Sequence, residues 1–315
     1  MLAQQYLQER RRLGFELQHM GKALHSFTRY ADRLKGRPVT LELMAEWARR
    51  DQGRSTDPRT WARRLKILRP FMRWLQQFEP DTKVPDDTIF GPIGGRTAPH
   101  IYSEEETGQL LRTAAQLAPA LRGATYATLF GLLLCTGLRV SEAIRLRNAD
   151  VDLKTGVLTV RRTKFAKSRH VPLHPSALEA LRRYRRLRAK WTTSSEESTF
   201  FVSCRGRLRG QPLTSRSVDR VLQAVRTECH WPNRGTHHAP RVHDLRHTFA
   251  VRRILAWQRE SIDIDQAMLA LSTYLGHAMV TNTYWYLSGV PELLGLAGQR
   301  FESRMAPGAE GTSHV

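Results

Sequence analysis

"DVDLKTGVLTVRRTKFAKSRHVPLH", Asp150 to His174, is the stretch that separates this chain from an all-helical protein. Lys154–Gly156 ("KTG") reads as a turn. "VLTVRR" (157–162) alternates in polarity and is β-branched, and "SRHVPL" (168–173) has the composition to return beside it. The reading is a small antiparallel sheet, with Lys164 to Lys167 in the connecting loop. The sequence on either side is dominated by helical spacing, so the expected fold class is mainly α with one small antiparallel β-sheet.

Working outward, "SEEE" (103–106) reads as a capping box that opens a helix. Before it, "PDTKVPDDTIFGPIGGRTAPH" (80–100) is rich in Pro and Gly and lacks periodicity, as a linker would. The first residues form a helical unit. "FELQHMGKALHSFTRYADRLKG" carries Leu17, Met20, Leu24, Phe27, Tyr30 and Leu34 at 3–4 spacing. Thr40 is placed to cap the next helix, and Asp57 with Pro58 to start the one after. Pro70 is expected to kink or split that last helix. Arg59, Arg63 and Lys66 stud it, and phosphate contact is preferred over a merely solvated face. The expected layout is a helical domain over 1–85, a linker over 86–101, a larger domain over 102–304 and a tail over 305–315. A C-terminal helix, "VPELLGLAGQRFESRM", would close the larger domain, with Leu293, Leu294 and Leu296 able to dock in cis or on a neighbouring protomer.

The 315 residues carry 50 Lys+Arg against 29 Asp+Glu, a net charge of +21. Such a field concentrates polyanions, so nucleic acid is the leading partner and an anionic membrane surface the second. The surplus is +7 in residues 1–95 and +14 in the rest, so both halves would touch the polyanion. Cys135, Cys204 and Cys229 show no C-x-x-C spacing, which argues for a reducing compartment and against a disulfide framework. The N-terminus lacks a signal-peptide core, and "ATLFGLLLCTGL" is too short for a bilayer. A cytoplasmic protein without a membrane partner is expected.

Near the C-terminal end, "LGHAMVTNTYWYLS" (275–288) holds two tyrosines two positions apart. On a helix only one of them can face a given partner. Val280, Tyr284 and Leu287 follow the i, i+4, i+7 stripe of a buried face, whereas Tyr286 shares the more polar side with Asn282. Pattern alone predicts Tyr284 buried and Tyr286 exposed.

Four segments stand in order: "TGLRVSE" (136–142), "TKFAKSRHVPL" (163–173), "HDLRH" (243–247) and "LGH" (275–277), the last followed nine residues on by Tyr286. Together they closely resemble the tyrosine recombinase (phage integrase) family. The resemblance covers the larger domain from end to end. It implies an N-terminal helical core-binding (SAM-like) domain that clamps DNA, followed by an α+β catalytic domain. It also implies Tyr286 as nucleophile, with Arg139, His243, Arg246 and His277 on the phosphate. The family's lysine falls on Lys164, leaving Lys167 as a DNA contact. Glu142 and His247 become supporting residues.

The chemistry suits these residue types. A tyrosine hydroxyl is a weak nucleophile at neutral pH, and surrounding cations favour its phenolate while stabilising charge on phosphoryl oxygens. Arginine stays protonated and grips two phosphate oxygens, whereas lysine can give up a proton to a leaving oxygen. A double-stranded DNA recombination site, a homotetramer assembled on it and accessory directionality factors are the implied partners. No cofactor is expected: there is no P-loop for ATP, and a site crowded with cations suits no divalent metal. "HDLRH" also has the i, i+4 histidines of a zinc helix, with Asp in place of the usual Glu. A type IB topoisomerase-like enzyme and a non-enzymatic DNA-binding protein are the other readings.

Overall fold

A computed structural model of the protein describes residues 2–34, 38–50, 56–94, 98–161, 168–231, 239–260, 262–277 and 279–289. The helix expected beyond residue 289, the tail, and both hairpin lysines, Lys164 and Lys167, lie outside them. The chain divides into two compact units, residues 1–96 and 97–315.

Four helices build the first unit: α1 (Leu2–Arg12), α2 (Gln18–Arg33), α3 (Leu41–Arg49) and α4 (Pro58–Leu75). Thr40 caps α3 through the Leu43 amide, and Asp57 caps α4 through the Arg59 amide with Pro58 in the first turn. The core is unusually aromatic: Tyr6, Phe27, Trp47, Phe71 and Trp74 are buried among Leu24, Leu43, Leu65 and Leu68. The charged N-terminal segment is part of this helical unit, with Tyr6 anchoring α1 in the core. Two readings need correction. Leu17 does not belong to α2; it precedes that helix in a left-handed conformation (φ 45°). Pro70 neither ends nor splits α4, which runs on to Leu75 because its apolar face is held by tertiary packing. Within the linker-like stretch, Val84, Ile89 and Phe90 pack on this same core.

The second unit is built around α6 (Ala120–Thr136). Leu121, Leu129, Phe130, Leu132 and Leu133 are buried there, and α5 (Glu104–Ala115), α8 (Pro175–Ala189) and α10 (Val242–Arg259) pack on it. A helix apolar on most of its circumference belongs at the centre of a domain. The Ser103–Glu106 capping box opens α5 as expected. Strands β1 (Val151–Asp152), β2 (Val157–Val160) and β3 (Arg169–Pro172) form one antiparallel sheet in that order. Leu158 pairs with Val171 and Val160 with Arg169, so one face of the hairpin is apolar and buried apart from the Arg169 side chain.

The remaining helices are the short α7 (Val140–Ala143), α9 (Ser215–Glu228), α11 (Ile264–Leu275) and α12 (Thr281–Gly289). A second apolar cluster, with Phe249, Val251, Ile254, Met268 and Leu271, joins α10 to α11 and α12. Tyr102 bolts the start of the unit to α10: its amide donates to Thr248 Oγ1 (3.0 Å) and its hydroxyl to the Arg241 carbonyl (3.2 Å). No helix among the described residues is long and apolar enough to cross a membrane.

Gly137 is the point of closest approach. It ends α6 at φ +61°, and a β-carbon there would stand 2.5 Å from Phe249 Cδ1 and 2.8 Å from Leu275 Cδ2. Gly137→Ala combines left-handed strain of about 1–2 kcal/mol with overpacking of about 1–3 kcal/mol. Urea unfolding of the variant should show a loss within the sum of those ranges at unchanged slope. A loss below about 1 kcal/mol, the lower end of the strain alone, would show that the three helices tolerate separation here.

Candidate active site

The site grows from the end of α11. That helix closes with Gly276 at φ +68°, the Gly276 amide donating to the Thr273 carbonyl and the His277 amide to the Ser272 carbonyl. This is the Schellman termination, in which glycine takes the left-handed position. The next carbonyls still need donors, and three arginines supply them. Arg169 Nε donates to the Tyr274 carbonyl at 2.8 Å, Arg246 Nη2 to Leu275 at 2.9 Å and Arg139 Nη2 to Gly276 at 3.1 Å. The negative end of the helix thereby gathers cations, as its dipole favours.

Each arginine comes from a different element. Arg139 stands at the start of α7, just past Gly137. Arg246 rises from the first turns of α10 and is 2% exposed, its Nη1 donating to the Gly137 carbonyl at 2.6 Å. Burial, then the neighbouring Arg139, pushes its pKa down to about 10, so it remains charged at neutral pH. Asp244, on the first turn of the same helix, pairs with Arg241 instead.

Glu142 is buried between two guanidiniums. Arg139 Nη1 reaches its Oε1 at 2.9 Å, while Arg169 spans both oxygens at 3.2 and 2.9 Å. The Arg139 amide adds a fourth donor at 2.9 Å, which fills the acceptor capacity of a carboxylate. Burial alone would raise the Glu142 pKa. Hydrogen bonds and charge from Arg169, then Arg139, outweigh this and hold it below the usual carboxylate value.

Tyr286 and Tyr284 reverse the expectation from periodicity. Tyr286 is buried, 2% exposed, whereas Tyr284 is half-buried. The apolar count misjudged the helix because the buried face of α12 is its polar one. Thr283 and Tyr286 turn inward, Thr283 Oγ1 lying 2.6 Å from His277 Nδ1 and the Tyr286 hydroxyl 2.8 Å from His247 Nδ1. His243 stands edge-to-face with His247, ring centroids 4.7 Å apart, on the open side of the cluster. Burial, followed by the charge of His243, Arg241 and Arg246, lowers the His247 pKa to about 3. A neutral His247 ring can accept the tyrosine proton's hydrogen bond.

Residues 101–290 match the model of the phage integrase family. Over 306 residues, 96% of this chain and 96% of the relative, the chain is 35% identical to a protein of Sinorhizobium fredii named as the integrase/recombinase y4rB. It is 32% identical over 252 residues to the tyrosine recombinase XerC of Chlorobaculum parvum, covering 73% of this chain and 68% of that one.

The chain belongs to the phage integrase family.

Its fold is likewise similar to that of the Tn1549 transposon integrase, solved in complex with a circular intermediate DNA (TM-score 0.65, 17% identity, 95% of this chain and 99% of that one). XerH recombinase, solved on its palindromic difH substrate, gives a TM-score of 0.61 at 20% identity, over 90% and 79%. As a tyrosine recombinase the protein is a DNA strand-cleaving and rejoining enzyme, and the reading as a non-enzymatic DNA-binding protein falls away.

Among the residues singled out from sequence, the structure brings together Arg139, Glu142, Arg246, His243, His247, His277 and Tyr286. Arg59, Arg63 and Lys66 lie in the other unit, on the exposed face of α4. Arg169 was missed. Its signal was present: alternation places it on the same face of β3 as buried Val171, and a cation on an inward face needs an acid.

The His247 ring makes a pH-dependent contribution to stability. Its folded pKa lies below the unfolded value of 6.5, so as pH falls the unfolded chain binds the proton first. The stabilisation is complete above about pH 6.5 and is lost toward the folded value of about 3. Wild type should lose about 1.4 kcal/mol per pH unit more than His247→Gln between pH 6 and 4. Parallel urea-derived stability curves for the two proteins would show that the ring is not held neutral.

Proposed function

We propose that the protein is a site-specific DNA recombinase in which Tyr286 attacks a phosphodiester, forms a 3′-phosphotyrosyl link and releases a 5′-hydroxyl. The 5′-hydroxyl of a partner duplex then attacks that link and releases the tyrosine. Bond energy is conserved in the phosphotyrosine, so the exchange proceeds without ATP or metal. The observation that carries this reading is the Tyr286 hydroxyl, 2.8 Å from His247 at the edge of a cluster that holds Arg139 and Arg246.

Arg139 and Arg246 bind the non-bridging oxygens and stabilise the charge that builds on them. His243 and His277 donate to the same phosphate, and Lys164 protonates the departing 5′-oxygen. In this arrangement His247 is too weak a base to take the tyrosine proton, since its pKa is pushed so low. An arriving phosphate adds negative charge beside both histidines and raises their proton affinity. DNA thus completes the acid–base set it needs, with His247 orienting Tyr286 and His243 sharing its proton. The similarity to integrase/recombinase and tyrosine recombinase proteins supports the recombination chemistry. The assembly proposed for it is a homotetramer on two double-stranded sites, serving a mobile element or a replicon, with directionality factors as further partners. Residues 1–85 serve as the core-binding clamp, residues 102–304 as the catalytic domain and 86–101 as the connection.

Nicked suicide duplexes tiled from DNA flanking the gene test the chemistry. Incubated without metal, wild type and Tyr284→Phe should form SDS-resistant adducts and Tyr286→Phe none. Loss of the adduct in Tyr284→Phe alone would move the nucleophile, and a tile bound tightly but never cleaved by wild type would overturn the reading. The clamp has its own test. Arg59, Arg63 and Lys66 changed together to Gln should lower the slope of log affinity against log salt by about 0.9 for each phosphate no longer neutralised. An unchanged slope would remove this face of α4 from the DNA.

A further inference from the structure

Arg139 has a problem that its own position creates. A cation meant to stabilise a phosphate is hydrogen-bonded at 2.9 Å to a buried carboxylate, Glu142, that would cancel its charge. Arg169 resolves the conflict. It spans both Glu142 oxygens, its Nε is spent on the Tyr274 carbonyl, and its side chain is 13% exposed against 28% for Arg139. Arg169 therefore faces inward, toward the acid, while Arg139 keeps an accessible edge. Together Arg139, Arg169, Arg246 and Glu142 carry a net charge of +2; without Arg169 that falls to +1. Gly276 leaves room for the arrangement, since a β-carbon there would stand 2.8 Å from Arg169 Nη1 and 3.1 Å from its Cζ.

We infer that Arg169 is a positioning residue for strand cleavage: it serves as the counter-charge of Glu142, so that Glu142 aims Arg139 at the phosphate without neutralising it. The assignment rests on the recombinase reading above. It differs from a packing role in what it demands of Glu142. If Arg169 acts by occupying the acid's charge, removing that charge repairs its loss. If Arg169 only braces the fold, removing Glu142 as well makes matters worse.

The test uses the full chain and the reactive suicide duplex, with DNA affinity and thermal melting measured alongside. Arg169→Met should slow adduct formation by about 10²-fold, the scale set by losing one charge-stabilising group. Arg169→Met combined with Glu142→Gln should recover roughly tenfold of that loss, a coupling expected of contacting charges. On a duplex with a methylphosphonate at the scissile position, which lacks one anionic oxygen, the Arg169→Met defect should shrink to a few-fold. Arg169→Lys keeps the charge and loses the fork, so it should cleave within about tenfold of wild type. That variant keeps the inference testable if the Met variant does not fold. A double variant slower than Arg169→Met would overturn the assignment. So would a defect equal on both phosphates, or an Arg169→Lys as inactive as Arg139→Ala. An absent adduct with wild-type protein would instead defeat the recombinase reading itself.

Discussion

The end of one helix organises this site. Any α-helix leaves its last carbonyls without internal partners, and α11 leaves them against β3, α10 and the start of α7. Three guanidiniums fill the need, on consecutive carbonyls from 274 to 276. Because they come from β3, α10 and the start of α7, satisfying one helix terminus ties those three elements to α11. The requirement runs in both directions. A guanidinium as buried as that of Arg246 is strongly destabilising unless hydrogen-bonded, and the carbonyls of Gly137 and Leu275 provide the bonds.

That reciprocity explains how a cluster of like charges persists. Arginines crowded together repel one another, as the lowered Arg246 pKa records after its burial. Carbonyl dipoles and a single carboxylate offset the repulsion without quenching it. The site is thus built with its positive charge already in place. Little reorganisation is then required when an anion arrives, which is the condition under which electrostatic stabilisation is most effective.

Much of this was legible in the sequence, and for identifiable reasons. The hairpin declared itself through alternation and a glycine turn, and the capping residues Thr40, Asp57 and Ser103 carry a local code that tertiary structure rarely overrides. The four motif segments located the cluster. The failures share a cause: each depended on what an element packs against. Periodicity equates buried with apolar, but α12 turns Thr283 and Tyr286 toward histidines, so its buried face is polar. Arg169 is a cation on the inward face of β3, and its reason for being there is Glu142, 27 residues away in the chain. The passage of α4 through Pro70 rests on an aromatic core that no local window contains.

The partners of the three arginines at α11 are backbone oxygens, and a backbone oxygen is present whatever the side chain. Evolution is therefore free to rewrite the outward side of this helix, where Leu269 is 62% exposed, without renegotiating the contacts that hold the site. What must persist is a conformation: a helix that ends at Leu275 and a residue after it with no β-carbon. The same economy gives an engineer a boundary. Surfaces on α11 can be redrawn to change what the protein meets, while the chemistry one layer below remains indifferent to the lettering.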